Sequence, residues 1–471
     1  MTQLQPWIEA QARFAARAML GAISATQLVM GRTGFGQRVI PRPGSVLASP
    51  VCARYDPEPD YFFHWFRDSA IVIDALRVAL TESYVGGEAL SRFGEFVHFS
   101  HTLLSVDGRE FLQRSNFRST VQPAFREYLR PDAEIAALSG ESVLADVRVN
   151  ADGTPDITRW SRPQADGPAM RSIALARWLR ELPQLDASLR SVVREVIAAD
   201  LSFTLSQLPR NSFDIWEEQC GEHYYTRLVQ SEACTQGAAC FAKSGDESRA
   251  QTCSAAAQVN VPRLAAFWDR SAGFYRSRMA VTHAAPGKEL DMAVILATLH
   301  AGRALGAHSV LDPKVQATLT ALEELFEAEY LINRSRPSEF GPAMGRYAND
   351  RYYSGGAYYF ATLAAAEFYF RLAAALGGGA ELMVVEENRR FRERLGIGQS
   401  NGDPSAQAKL AVGRGDAFMR CVQAYTPPGG ELSEQFDQSS GAQTSARQLS
   451  WSYAAFVTAA ASRRRAHKLM P

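Results

Sequence analysis

Apolar residues recur at three- and four-residue spacing along most of this chain. The opening stretch shows the pattern: Ile8, Ala12, Ala15, Met19 and Ile23 share one helical face, while Glu9, Arg13 and Arg17 break the apolar run. The same period continues over about 5–24, 67–81, 90–104, 168–182, 187–206, 221–242, 247–258, 289–304, 312–330, 356–376, 405–423 and 446–461, all rich in Ala and Leu. These stretches predict roughly a dozen helices with little strand between them. The exceptions fall within 95–165, where Phe111-Leu-Gln-Arg-Ser115 and Val147-Arg-Val-Asn150 alternate weakly and read as short β-ribbons. No literal repeat, low-complexity tract or Pro/Ser linker marks a domain boundary, and Gly377-Gly-Gly379 reads as a turn between two helices. An even number of helices in an all-α chain of 471 residues predicts helical hairpins arranged in a ring. Inner helices would then converge, and the loops at one end would form a central pit. Chemistry should recur at loop-to-helix junctions along the whole sequence.

Composition narrows the function classes. Hydrophobic residues make up 46% and charged residues 21%, with Lys+Arg and Asp+Glu both at 50, a soluble globular profile without the basic stripe of a nucleic-acid binder. The one dense basic run, Arg463-Arg-Arg465, reads as a solvated helix end favoured by the dipole. The first helix is broken by charges, unlike a secretion signal, and the apolar stretch 360–376 carries Glu367 and Arg371, unlike a membrane span. A soluble, cytoplasmic protein is the expectation. Cys52, Cys220, Cys234, Cys240, Cys253 and Cys421 match no zinc or redox spacing and are expected as buried free thiols, a Cys240–Cys253 disulfide being unsupported.

Five junctions carry concentrated chemistry. The first is Asp60-Tyr-Phe-Phe-His-Trp-Phe-Arg-Asp-Ser69, where Arg67 and Asp68 form a donor–acceptor couple suited to two adjacent sugar hydroxyls. Alone it reads equally well as a capping Asp beside a structural Arg. His64 reads as a packing or hydrogen-bonding neighbour. In the second, Arg159-Trp-Ser-Arg-Pro-Gln-Ala-Asp-Gly-Pro168, Trp160 can stack on a sugar and Arg162 can bond its hydroxyls, although a Trp is more often simply core. The third, Ser212-Phe-Asp-Ile-Trp-Glu-Glu218, places Asp214, Glu217 and Glu218 together. Mutual repulsion would raise the pKa of the most desolvated one, as a general acid at neutral pH requires. A helix N-terminus decorated with acids for its dipole is the plainer alternative. The fourth, Gly345-Arg-Tyr-Ala-Asn-Asp-Arg-Tyr-Tyr353, offers Arg346 and Asp350 among tyrosines. The fifth, Leu432-Ser-Glu-Gln-Phe-Asp437, supplies Glu434, and Trp451 follows at the next helix start. Two carboxylates set among aromatics are what acetal cleavage needs: one protonates the departing oxygen, the other handles the nucleophile. No Ser/His/Asp elbow, phosphate loop or metal-ligand spacing competes.

Together these segments resemble the glucoamylases, glycoside hydrolase family fifteen. The resemblance rests on Tyr61-Phe-Phe-His-Trp-Phe-Arg-Asp-Ser-Ala70, Arg162-Pro-Gln-Ala-Asp-Gly-Pro168, Asp214-Ile-Trp-Glu-Glu218, Gly345-Arg-Tyr347 with Tyr352-Tyr353, and Ser433-Glu-Gln-Phe436 with Ser445-Ala-Arg447 and Trp451-Ser-Tyr-Ala454, in the family's order. It implies an all-α (α/α)6 barrel and inversion at the anomeric carbon. It also implies Glu217 as general acid and Glu434 as general base, with Arg67 and Asp68 on the terminal glucose. Glu218, Arg346, Trp160 and Trp451 would bind sugar around the cleaved bond, and Arg162, Asp214 and Tyr358 are likewise expected on the substrate. Two departures bear on linkage and chain-length preference: Gly355-Gly-Ala-Tyr358 stands where the family commonly has Gly-Asn-Pro-Trp, so Tyr358 replaces a tryptophan platform, and Ala348-Asn349 stands for Pro-Glu.

The expectation is one catalytic barrel over 1–471 without a separate starch-binding domain, acting on soluble oligosaccharides and needing no metal or organic cofactor. It would be an exo-acting, inverting α-glucosidase with its carboxyl groups about 6.5–9.5 Å apart. The alternatives are hydrolysis of an α-1,6 glucan or trehalose, a non-catalytic sugar-binding barrel, and glycosyl transfer to phosphate.

Overall fold

The computed structural model describes residues 3–53, 57–182, 184–281, 287–398 and 402–470. Among these, twelve helices build the body of the molecule. They are α1 (Leu4–Gly21), α2 (Phe66–Thr81), α3 (Glu88–Leu103), α4 (Gly167–Glu181), α5 (Ala187–Gln207) and α6 (Tyr224–Lys243), then α7 (Glu247–Ala266), α8 (Ala293–Ala301), α9 (Pro313–Glu329), α10 (Tyr359–Gly377), α11 (Pro404–Tyr425) and α12 (Ser450–Leu469). The even-numbered helices pack in sequence, α2 on α4, then α6, α8, α10 and α12, and α12 closes the ring on α2. The odd-numbered helices pack outside their partners, with α1 against α12, α2 and α11. This is an (α/α)6 toroid.

Hydrophobic patterning separates the two rings. In α8 eight of nine residues are buried, which is how a helix apolar on every side resolves its surface. Helix α10 is long and apolar enough to cross a membrane, but 83% of its most apolar stretch is buried within the fold, so its inner-ring position accounts for its composition. A glycine fixes the approach of α4 to α2: a Cβ on Gly167 would lie 2.6 Å from the Phe66 Cβ.

Short antiparallel ribbons precede several inner helices: Phe63–Trp65 with Arg148–Asn150, Ser212–Phe213 with Cys220–His223 and Arg278–Met279, and Ala357–Tyr358 with Gln435–Phe436 and Gln443–Thr444. The ribbon expected around Val147 to Asn150 is therefore present. The one expected at Phe111 to Ser115 is not: helix Gly108–Arg114 occupies it, because Asp107 accepts from the backbone N–H groups of Arg109 and Glu110. The run Arg463-Arg-Arg465 is not a solvated helix end either. Arg463 pairs with Asp416 at 2.6 Å and Arg464 with Glu9 at 2.7 Å and Glu82 at 2.9 Å, fastening α12 to α11, α1 and the end of α2. All six cysteines are free; Cys234, Cys253 and Cys421 are buried, whereas Cys52 is exposed.

Candidate active site

The inner helices turn their N-terminal ends towards one cavity of about 540 Å³. All five junctions reach it: Arg67 and Asp68, Trp160, Trp216 to Glu218, Arg346, and Glu434 with Trp451 line its wall. Positive helix ends aimed at a shared hollow favour the carboxylates gathered there.

Glu217 sits in the left-handed backbone region at φ 66, a conformation that costs a non-glycine residue about 1–3 kcal/mol. The hairpin between Ser212–Phe213 and Cys220–His223 imposes it. Inside that turn Glu217 N–H donates to Asp214 O at 2.9 Å, and Asp214 N–H donates to Gln219 O at 3.0 Å. The strain aims the Glu217 carboxylate at three N–H donors: Trp65 Nε1 at 2.8 Å, Arg67 Nη2 at 3.1 Å, and Trp160 Nε1.

Glu434 faces the same hollow from different surroundings. Ser445 Oγ donates to Oε2, and Tyr61 OH reaches Oε1 at a weak 3.5 Å. Burial pushes its carboxyl up to about 7, against the lowering effects of the Ser445 hydrogen bond and the Arg346 charge.

At the floor, Arg67 Nη2 lies 3.2 Å from Asp68 Oδ2 without hydrogen-bond alignment, and Nη1 donates to Gln164 Oε1 at 3.0 Å. Burial raises Asp68 to about 6, with Arg67 opposing. One wall is aromatic: Trp451 stacks on Phe360 at 4.4 Å and lies parallel to Trp216 at 6.4 Å. Such a face suits the C–H surface of a sugar ring. Trp65 and Trp160, which also line the cavity, meet edge to face at 6.4 Å. His64, by contrast, is buried, accepts from Val46 N–H at 3.0 Å, and is kept neutral by burial that pushes it down to about 3.

Three residues assigned to sugar binding from sequence stand behind the wall instead. Arg162 pairs with Asp146 and, at 3.1 Å, with Asp156. Asp156 also holds Arg148, whose guanidinium lies 3.7 Å from the Trp160 ring centroid, so Arg162 braces that ring from the rear. Asp214 accepts from the backbone of Glu218 at 2.7 Å and Gln219 at 3.2 Å and organises the acid-bearing turn. Tyr358 is no platform: pairing with Gln435 turns it inward, where its hydroxyl donates to Asp350 at 3.2 Å behind Arg346. Among the aromatic residues lining the cavity, Trp160 is the exposed one.

The expected mutual repulsion within Asp214, Glu217 and Glu218 is relieved by a residue the sequence reading passed over. Lys288 sits 3.0 Å from Asp214 and also pairs with Glu218. Burial alone would raise Asp214, but Lys288 holds it below the usual carboxylate range. Beside it, both Asp291 oxygens accept from Trp216 Nε1, at 2.9 and 3.1 Å, and burial raises Asp291 to about 7. A signal did exist: Gly287-Lys-Glu-Leu-Asp291 precedes an apolar helix as the other junctions do, and a ring of six inner helices calls for a sixth junction. Tyr61, Trp65 and Tyr352 also line the cavity. Among the described residues, no group of three His, Cys, Asp or Glu side chains is placed to hold a metal ion.

Comparison with known proteins identifies the family of this fold. A family model described as "Glycosyl hydrolases family 15" matches residues 35–461. Glucoamylase 1 of Rhizopus oryzae is 27% identical over 442 residues, covering 90% of this chain and 68% of that protein. The probable glucoamylase of Schizosaccharomyces pombe is 27% identical, covering 97% of this chain and 91% of that protein. The solved structure of a family 15 glucoamylase from Hypocrea jecorina superposes with a TM-score of 0.80 at 26% identity, covering 100% of this chain and 73% of that one.

Proposed function

The chain belongs to glycosyl hydrolase family 15, and from that premise we propose an inverting, exo-acting α-glucosidase that releases glucose from the non-reducing ends of α-glucans or maltooligosaccharides. The observation that carries the reading is that Glu217 and Glu434, far apart in sequence, face one sugar-sized cavity floored by Arg67, Asp68 and Trp451. A floor of this kind admits a chain end, so one terminal sugar is held per event. Arg67 and Asp68 engage its hydroxyls while Trp451 and Phe360 pack its apolar face. Glu217 protonates the glycosidic oxygen. Glu434 takes a proton from a water on the opposite ring face, and attack by that water inverts the anomeric carbon. Glu218 and Arg346, joined at 2.9 Å, meet the sugar beyond the cleaved bond.

NMR detection of the first anomer released from maltotriose, isomaltotriose and trehalose tests linkage, exo action and stereochemistry together. β-Glucose as the initial product from maltotriose is the expected result, and α-glucose would reject inversion. A second reading exchanges the two roles. It draws on the donor-rich setting of Glu217 and the raised carboxyl of Glu434, since a raised pKa suits an acid. Motif position supports the first assignment, and the leaving-group dependence of Glu217→Gln and Glu434→Gln separates the two.

A further inference from the structure

Glu217 stands at φ 66 between Trp216 and Glu218, and such a backbone persists where its surroundings over-determine it. Both neighbours are tied to one short segment on another part of the chain. Trp216 Nε1 donates to Asp291, while Lys288 spans Asp214, 3.0 Å away, and the Glu218 carboxylate. Asp214 in turn accepts from Glu218 N–H at 2.7 Å, so Lys288 grips the turn at two points.

The gripping segment is itself fixed. Ser277 N–H donates to Glu289 O and Ser277 Oγ to Lys288 O, each at 2.7 Å. Met292 N–H donates to Arg346 O at 2.8 Å, and Asp291 bridges Tyr347. Lys288 is 3% exposed, so its ammonium has left water for two carboxylates and is no surface solubilising charge. Glu218 also takes Arg346 at 2.9 Å on its other oxygen. Cations on both sides therefore hold it against the cavity wall.

We propose that Lys288 and Asp291 are positioning residues: by clamping Trp216 and Glu218 they set the strained Glu217 against the departing oxygen and Glu218 against the sugar beyond it. The proposal rests on the glycosidase reading above. It separates the two halves of the reaction, since the polar grip on the terminal sugar and the activation of water belong to Arg67, Asp68 and Glu434, none of which pairs with Lys288 or Asp291.

The test is Lys288→Met in the full chain. Its kcat and KM are measured on the fastest of maltose, isomaltose and trehalose, and on α-D-glucopyranosyl fluoride. Fluoride departs without full protonation and leaves no sugar behind. A displaced acid lowers kcat/KM on the disaccharide by about 100-fold, with kcat carrying most of the loss, while the fluoride falls by less than about threefold. Retained fluoride turnover also shows that the pocket has folded. Asp291→Ala, which removes both acceptors of Trp216 Nε1, should give the same split, and it serves as the readout if Lys288→Met does not fold. Equal losses on both substrates, or disaccharide turnover unchanged, would overturn the proposal. The unsubstituted protein tells the two failures apart: if it cleaves neither substrate, the glycosidase reading falls and this proposal with it.

Discussion

Outer and inner helices of this barrel begin in different ways. Four of the six outer helices, α5, α7, α9 and α11, start at an aspartate, Asp186, Asp246, Asp312 and Asp403, whose side chain accepts from its own helix's first N–H groups, while α1 and α3 start uncapped at Gln3 and Gly87. On the inner ring the N-cap residues are Trp65, Asp166, His223, Met292, Tyr358 and Leu449, and none makes a side-chain cap. Asp166 makes the contrast plain, because it has the right side chain for a cap yet reaches Arg67 at 3.4 Å instead. Outer starts spend their carboxylates on stability. Inner starts, apart from α8, where Asp291 accepts from Ala293 N–H at 2.7 Å, give up that local stabilisation and leave their positive ends towards the pit, where Asp68, Glu217 and Glu434 collect.

If this division holds, isosteric changes at inner starts abolish activity and leave stability alone. Glu217→Gln and Glu434→Gln should each lower kcat on a glycosidic substrate by about 10²–10⁴-fold, with unfolding midpoints near that of the unsubstituted protein and sugar binding largely kept. Leaving-group dependence then assigns the roles. With α-glucosyl fluoride, Glu217→Gln should recover most of its turnover, since little protonation is needed, whereas Glu434→Gln still lacks its base. The opposite pattern would exchange acid and base. Near-normal disaccharide turnover by Glu217→Gln would remove it from the chemistry.

A smaller effect concerns pH. Glu434 works as a base only when ionised, and its carboxyl is pushed up to about 7, so kcat/KM should fall as pH drops below about 7. The Ser445 hydrogen bond pulls that carboxyl down. Ser445→Ala removes the pull, and the acid limb of a kcat/KM–pH profile should move to higher pH by about one unit. An unmoved limb would detach Ser445 from the Glu434 equilibrium.

The inner–outer division also explains what could be read from the chain. Helix number and the ring followed from period alone, because 3.6-residue spacing is a local property and an even set of hairpins has few ways to close. Glu217, Glu434, Arg67, Asp68, Trp160, Glu218, Arg346 and Trp451 were found because each stands in a short aromatic–charged segment, and the structure brings them to one cavity. Arg162, Asp214 and Tyr358 share those segments, but which way they point depends on partners elsewhere in the chain: Asp146 and Asp156, Lys288, and Gln435. Lys288 and Asp291 escaped notice for the complementary reason, since the acid-bearing turn that their side chains hold lies 70 or more positions away and their own segment holds no aromatic residue. The left-handed Glu217 was equally invisible: nothing in Asp-Ile-Trp-Glu-Glu marks a positive φ, which the hairpin imposes.

The smallest predicted effect is the mirror image of the first. Asp403 accepts from Ser405 N–H at 3.0 Å and Ala406 N–H at 3.3 Å at the start of α11 and is not among the residues that line the pit. Asp403→Ala should cost about 1 kcal/mol of stability. In a chain of 471 residues that lowers the unfolding midpoint by about 1 °C, because the entropy of unfolding grows with length. Calorimetry would resolve this shift, and kcat/KM on maltose should match the unsubstituted protein. Activity lost together with stability would mean that the outer ring transmits to the pit, and the separation of the two rings would then fail on its stability side.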